Sequence, residues 1–388
     1  MITVPAGLIP VKVLTPDEII QGNRVSTYRW EIFTHSDGVD TLAGFLDGVV
    51  SGTASLAWRN NAAIKGKGQL DVLDLAVAKP GMMRLADLDL TTVRLKPVLE
   101  IEGIDLDTPW SVYLVTSAPE QWSGTGRVVS LDLLDRAIVL AQDRVAETYV
   151  VDASTPILSA VRTVVQSAGE DITVDVDVAD TLTSARVWEA GTKKLQIVND
   201  LITTLYNSTL WVDGNGAYRA TPYVLPADRP IVYELVDGET SIYSEDWVQD
   251  KDFLDIPNRV IAIQSGTGDA PALSDSYTNT DPDSPFSYAA RGNRWKDADP
   301  LVVETPDGTD TEIKAFLKAK ARASLIAFSS VQAKVEVTVL PIKIRVGDTV
   351  RFRNVPAGVD ARHVVTSIDL DAHSTGLMGL KLQVVTSL

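Results

Sequence analysis

Polar and apolar positions alternate along residues 24–35, RVSTYRWEIFTH: Tyr28, Trp30 and Ile32 fall on one side, Arg29 and Glu31 on the other, and the run stops at SDG. A period of two sends successive side chains to opposite faces, so the pattern predicts a half-buried strand ending in a turn. Further runs follow in ASLAW (54–58), QLDVLDLAV (69–77), TVRLKPVLEIEG (92–103), WSVYLVTS (110–117) and GRVVSLDLL (126–134). Closely spaced and separated by Gly, Pro and Asp, they predict a small antiparallel barrel or sandwich.

The period becomes helical after residue 154. STPILSAVRTVVQSAGED offers a Ser or Thr cap, Pro156 at the first helical position, Ile157, Val161, Val164 and Val165 on one side, and a stop at Gly169. The strand ITVDVDVAD follows, with Ile172, Val174, Val176 and Val178 inward and Asp175 and Asp177 on the solvent face. A second helix, GTKKLQIVNDLITTLYNS, takes Thr192 as its cap and places Leu195, Val198, Leu201, Ile202 and Leu205 at helical spacing. It runs into LWVDGNGAYRATPY, a hairpin whose Trp211 and Tyr218 pack on that helix.

Beyond Pro226 the strand period returns in IPNRVIAIQSG (256–266). The Gly-, Pro-, Ser- and Asp-rich segment after it predicts a long exposed loop over 266–300, in which Asp281 and Asp283 suit turns better than a cation. A helix over 311–327 carries Ile313, Phe316, Leu317, Ala321 and Leu325 on one face, and several strands broken by VGDT, PAGVD and HSTG complete a second β module. The expected organisation is an N-terminal extension (1–23), a first β domain (24–150), an α/β insert (151–225) and a second β domain (226–388).

DGNG at 213–216 raises the question of calcium. An EF-hand loop starting at Asp213 needs an oxygen ligand at its fifth position, Gly at the sixth and Glu at the twelfth, where this chain has Ala217, Tyr218 and Val224. A hairpin turn accounts for every residue instead.

Composition narrows the function. The chain has 388 residues, enough for two or three domains, and no apolar run approaches the ~20 residues of a membrane helix. Its start, MITVPAGLIPVKVL, lacks the basic flank and cleavage site of a signal peptide. With no cysteine, disulfides and thiolate metal sites are excluded, and His35, His363 and His373 are too scattered to predict a zinc cluster. A net charge of −17, spread along the chain, disfavours general nucleic-acid binding. No GxSxG, HExxH, P-loop or GxGxxG occurs, GKGQ (66–69) lacks phosphate-cradle spacing, and the pairs Glu245/Asp246 and Asp250/Asp252 are adjacent in sequence, which says nothing of the separation a glycosidase needs. No catalytic, cofactor-binding or metal-ligating residue, and no cofactor, is expected. Trp110, Trp122 and Trp295 would serve an alternative role as stacking platforms in a carbohydrate-binding or host-adhesion module.

Three stretches carry a family resemblance: KKLQIVNDLITTLYNSTLWVDGNGAYRATPY (193–223), IPNRVIAI (256–263), and RVGDTVRFRN (345–354) before LMGLKL (377–382). In their order they resemble the baseplate hub and tail-tip hub (minor tail) proteins of tailed bacteriophages, over roughly residues 24–388. The resemblance implies a β-rich α+β multidomain protein, with two tube-like antiparallel β-barrel modules, an α/β insert between them, and a homotrimeric ring. Such a ring closes the tail tube and adapts sixfold tail symmetry to a threefold tip. Implied partners are the distal tail or tail-tube protein, the tape measure protein and other tail-tip or fibre proteins, with DNA only in transit past an acidic lumen. The implied location is the virion tail tip, after assembly in the host bacterial cytoplasm. Many relatives continue into a peptidoglycan-cleaving or fibre-like domain, which is not seen before Leu388, so a lytic role is not expected.

Overall fold

The computed structural model describes residues 26–385, apart from positions 37–38, 61, 76, 102–103, 107–109, 124–125, 177, 240, 252–255, 265–270, 283, 285, 304, 306–307, 330–332 and 374. The predicted extension at 1–23 lies outside the described residues, as do Asp177, Asp252 and Asp283.

The alternation at the start of the chain forms the strand Ser26–Ser36, which buries Trp30 and Ile32 and pairs antiparallel with Arg94–Ile101. From there one sheet extends through the molecule, antiparallel except where Ile231–Val236 lies parallel to Thr349–Asn354. Its path runs Val39–Phe45, Ser26–Ser36, Arg94–Ile101, Tyr113–Ser117, Gly126–Asp135, Gly66–Leu73, Ser55–Arg59, Val359–Asp371, Met378–Val384, Ala333–Val339 and Tyr243–Lys251.

The two predicted β modules are therefore continuous. Ser55–Arg59 pairs with the far half of Val359–Asp371, setting Leu56 opposite Leu370 and Trp58 opposite Ile368. At 13 residues and ~3.3 Å per residue, Val359–Asp371 is long enough to serve both regions. One apolar core underlies both, taking Leu70, Leu95 and Leu131 from the first region and Val337, Phe352 and Leu380 from the second. Among the described residues the sheet stays open: neither region closes into the tube-like barrel that the resemblance implies, and the path ends on Val39–Phe45 and Tyr243–Lys251.

A second core belongs to the α/β segment. Helices Ile157–Gln166 and Lys194–Tyr206 bury Val161, Val165, Val198 and Ile202 against a small sheet in which Ile172–Val174 lies parallel to Tyr218–Ala220 and Trp211–Val212 forms an edge. The caps differ from expectation. Pro156 is the residue before the first helix rather than its first turn, and the Thr192 hydroxyl donates back to the Glu189 carbonyl, leaving Lys193 as N-cap. The strand predicted through Val178 ends at Val174, and Val176 is half exposed.

The stretch 266–300 is not a plain loop. It contains Ser274–Thr278, paired antiparallel with Arg259–Gln264, which also pairs parallel with Leu301–Val303. Buried Asn258 and Asn279 organise the rest: Asn258 accepts the Lys296 N–H and donates to the Arg294 carbonyl, while Asn279 donates to Ser284 Oγ. Polar residues that read as loop-forming here supply internal hydrogen bonds. The helix Asp310–Ser329 covers this sheet with Ile313, Leu317, Ala321 and Leu325, and a Thr309–Glu312 capping box starts it. No helix among the described residues is long and apolar enough to cross a membrane.

Candidate functional site

The DGNG turn is built by its aspartate. One Asp213 carboxylate oxygen accepts the Asn215 and Ala217 N–H groups at 2.9 and 3.0 Å, and the other accepts Arg219 Nε at 2.7 Å. Both oxygens are thus engaged inside the hairpin. The turn is also a docking element. Gly216 adopts φ +79°, a left-handed conformation, and a β-carbon there would lie 2.9 Å from Val112 Cγ2. Lys96 reaches Asn215 Oδ1 at 3.2 Å from the strand of the main sheet.

Around this contact lies a buried charge cluster joining the sheet to the α/β segment. Arg94 donates to Asp40 Oδ1 at 2.8 Å and to Glu170 Oε1 at 2.9 Å. Arg136 donates from Nε to Glu170 Oε2 at 2.8 Å, also bonds Glu170 through Nη2, and reaches Asp40 and the Gly216 carbonyl through Nη1. His35 lies 2.7 Å from Asp40. The Tyr218 hydroxyl donates to the Arg136 carbonyl, and burial, followed by the Glu170 charge, pushes that phenol well above its usual range. Two buried arginines sharing two carboxylates form a paired network, the arrangement in which buried charge is tolerated.

A cleft of about 590 Å3 opens where the two β regions and the α/β segment meet. Its walls include Trp58, Lys65, Trp110, Asp135, Trp211 and Ile344. Trp110, expected as an exposed platform, is 1% exposed and stacked between Tyr28 at 5.7 Å and Trp58 at 6.0 Å. Its buried indole N–H has no hydrogen-bond partner among the described residues. Asp135 accepts the Gly66 and Ala137 N–H groups at 2.5 and 2.9 Å, yet burial raises its carboxyl to about 6. Lys65 donates to the Asn60 carbonyl and Thr209 Oγ1, and burial lowers its ammonium.

The other sequence candidates do not converge. Trp122 is exposed with Arg127 over its ring at 5.6 Å, and Trp295 lies between Tyr288 and Arg259, so neither presents two bare faces. Glu245, Asp246 and Asp250 are exposed along the edge strand Tyr243–Lys251, Asp175 pairs with Arg219 and Thr221, and GKGQ opens the strand Gly66–Leu73. Among the described residues no three His, Asp or Glu side chains gather as a metal site.

The two terminal edges of the sheet expose apolar side chains. Val39 and Leu42 are 62% and 49% exposed on one, and Val248 is 62% exposed on the other. Among the described residues no further strand pairs with the outer side of either edge, the usual template for adding another chain.

No family model and no curated protein matches the sequence. Solved structures do match. The tail protein of Neisseria meningitidis MC58 superposes with a TM-score of 0.62 at 14% identity, over 92% of this chain and 96% of that one. The 43 kDa tail protein of prophage MuSo2 from Shewanella oneidensis gives 0.58 at 14% identity, over 91% and 98%. This chain has a phage tail-protein fold. The chain in the Francisella PdpA–VgrG complex gives 0.57 at 8% identity, covering 95% of this chain and 54% of its own length, so the same fold is embedded there in a longer chain.

Proposed function

We propose that the protein is a structural hub of a phage tail, in which three copies form a ring that closes the tail tube and adapts sixfold tail symmetry to a threefold tip. The observation that carries the reading is the open sheet: two β regions run continuously within one chain and end on two exposed apolar edges. The Val39–Phe45 edge of one protomer pairs with the Tyr243–Lys251 edge of the next. Different surfaces meeting head to tail generate a closed ring when the rotation closes. The tube-like barrels are completed between protomers rather than within one. The likeness in fold to phage tail proteins supports a place in the virion tail, and the threefold ring would sit at its tip.

In this reading residues 24–150 and 226–388 form the ring and 151–225 the decoration outside it. The tube protein, the tape measure protein and tip or fibre proteins dock on its faces, and a chain of charge −17 offers DNA a wall to pass without adhering. The role is architectural rather than catalytic.

Because the chain has no cysteine, the ring contact is directly testable. A Leu42→Cys/Val248→Cys double variant should cross-link under oxidation into a ladder ending at trimer, with each single variant giving no ladder. Cross-linked dimers from either single variant would show like edges meeting, and would replace the ring with a twofold pair.

A further inference from the structure

The buried charge cluster does more than fasten the α/β segment to the sheet, because one of its members stands on an edge strand. Asp40 is the second residue of Val39–Phe45, whose side chains are all exposed or only partly buried. Burial of one face is what normally fixes how a strand sits on its sheet, and this strand has none to rely on.

The pairing pattern also leaves one end of the strand overhanging. Ser26–Ser36 pairs with Arg94–Ile101 only as far as Phe33 opposite Arg94, while its pairing with Val39–Phe45 continues with Thr34 opposite Thr41, His35 opposite Asp40 and Ser36 opposite Val39. Among the described residues no third strand lies beside these last three pairs. A two-stranded ribbon on its own is marginal in water.

Asp40 ties the ribbon down. Its Oδ1 accepts from Arg94 at 2.8 Å and lies 2.7 Å from His35 Nδ1, and its Oδ2 accepts from Arg136 at 3.1 Å. Both guanidinium groups are aimed in turn by the α/β segment. Glu170, with its side chain 1% exposed, takes one of them on each carboxylate oxygen, and the Gly216 carbonyl accepts from Arg136 as well. Arg94 and Arg136 thus each bridge Glu170 to Asp40, and the rigid, planar fork of a guanidinium fixes direction as well as distance. An unbroken series of contacts runs from the α/β segment to the edge that carries exposed Val39 and Leu42.

We propose that the α/β segment sets the geometry of the assembly edge: Glu170, through Arg94 and Arg136, holds Asp40, and Asp40 is the positioning residue that keeps Val39 and Leu42 where a second copy of the chain pairs. This rests on the ring reading, and it gives residues 151–225 a part in assembly although they lie outside the ring.

The test compares the full-length wild type with two variants. Asp40→Asn keeps the shape of the side chain and leaves both arginines on Glu170, and Glu170→Gln breaks the same bridge from the other end should the first variant not fold; thermal melts check both. Hydrogen exchange on protein diluted to single chains should be at least tenfold faster in residues 34–36 and 39–41 of the variants, with exchange in Arg94–Ile101 unchanged. Light scattering over a concentration series, with and without the tail-tube protein, should place half-assembly of the variants at a concentration at least tenfold higher than for the wild type. Asn258→Ala, beside a different sheet, controls for a general loss of stability and should leave both readouts at their wild-type values. A wild-type trimer whose variants exchange and assemble unchanged overturns this proposal alone, as does either readout moving without the other or an equal shift in Asn258→Ala. Wild-type single chains under every condition overturn the ring reading and this proposal with it.

Discussion

Gly216 rests against Val112 so closely that a β-carbon at 216 would come within 2.9 Å of the valine Cγ2, which makes the DGNG turn a buried joint between the α/β segment and the main sheet. Gly216→Ala combines a disfavoured positive φ with a steric contact in packed surroundings. The expected loss is about 2–4 kcal/mol, read by urea denaturation. An unchanged midpoint would mean that the turn stands clear of the sheet.

Glu170 holds both Arg94 and Arg136 in the buried cluster. Glu170→Ala leaves two buried guanidinium groups sharing Asp40 alone, and should cost roughly 3–5 kcal/mol. Replacing Glu31, a partly exposed carboxylate of the first strand, should cost under about 1 kcal/mol. Comparable losses from the two changes would contradict a special role for the cluster.

The sequence makes the strands and helices legible, because a period of two or of 3.6 is a local property. Trp30 and Ile32 point inward as the alternation predicts, and TDTE at 309–312 spells out the capping box. What it hides is pairing at long range. Nothing in ASLAW indicates that Leu56 meets Leu370, and this contact merges two expected modules into one sheet. The charge cluster is equally hidden, since Asp40, Arg94, Arg136 and Glu170 are ordinary charged residues until the fold gathers them. Trp110 sits at the start of an apolar run, where exposure and stacking look alike. The 266–300 stretch misleads for a different reason: its Gly-, Pro-, Ser- and Asp-rich composition reads as loop, whereas buried Asn279 bonds Ser284 within it and buried Asn258, from the strand run before it, holds the Arg294 and Lys296 backbone.

Asn258→Ala therefore removes both a donor and an acceptor from a fully buried position. The expected loss is about 2–3 kcal/mol, with early hydrogen-exchange deprotection in Ser274–Thr278. A surface-like effect of a few tenths would return this stretch to the status of a loop.

Asp135 makes stability depend on pH in a direction opposite to most carboxylates. Burial raises its folded value from 3.8 to about 6, so the folded state holds the proton more tightly than the unfolded one. Its contribution is then most favourable below about pH 4 and is lost as pH rises to about 6, a change on the order of 3 kcal/mol. Subtracting Asp135→Asn melts from wild-type melts isolates this group. The difference should fall steadily across that window, and a flat or rising difference would show that Asp135 carries an ordinary or depressed value.

The central claim is the ring, and its mass tests it most directly. Light scattering coupled to size exclusion, at high protein concentration and with the adjoining tail-tube protein added, should give an assembly of three times the 41.9 kDa of one chain. Val248→Lys should reduce it to single chains that keep their fold. A monomer with and without the tube protein, or an assembly of two chains, would contradict the account.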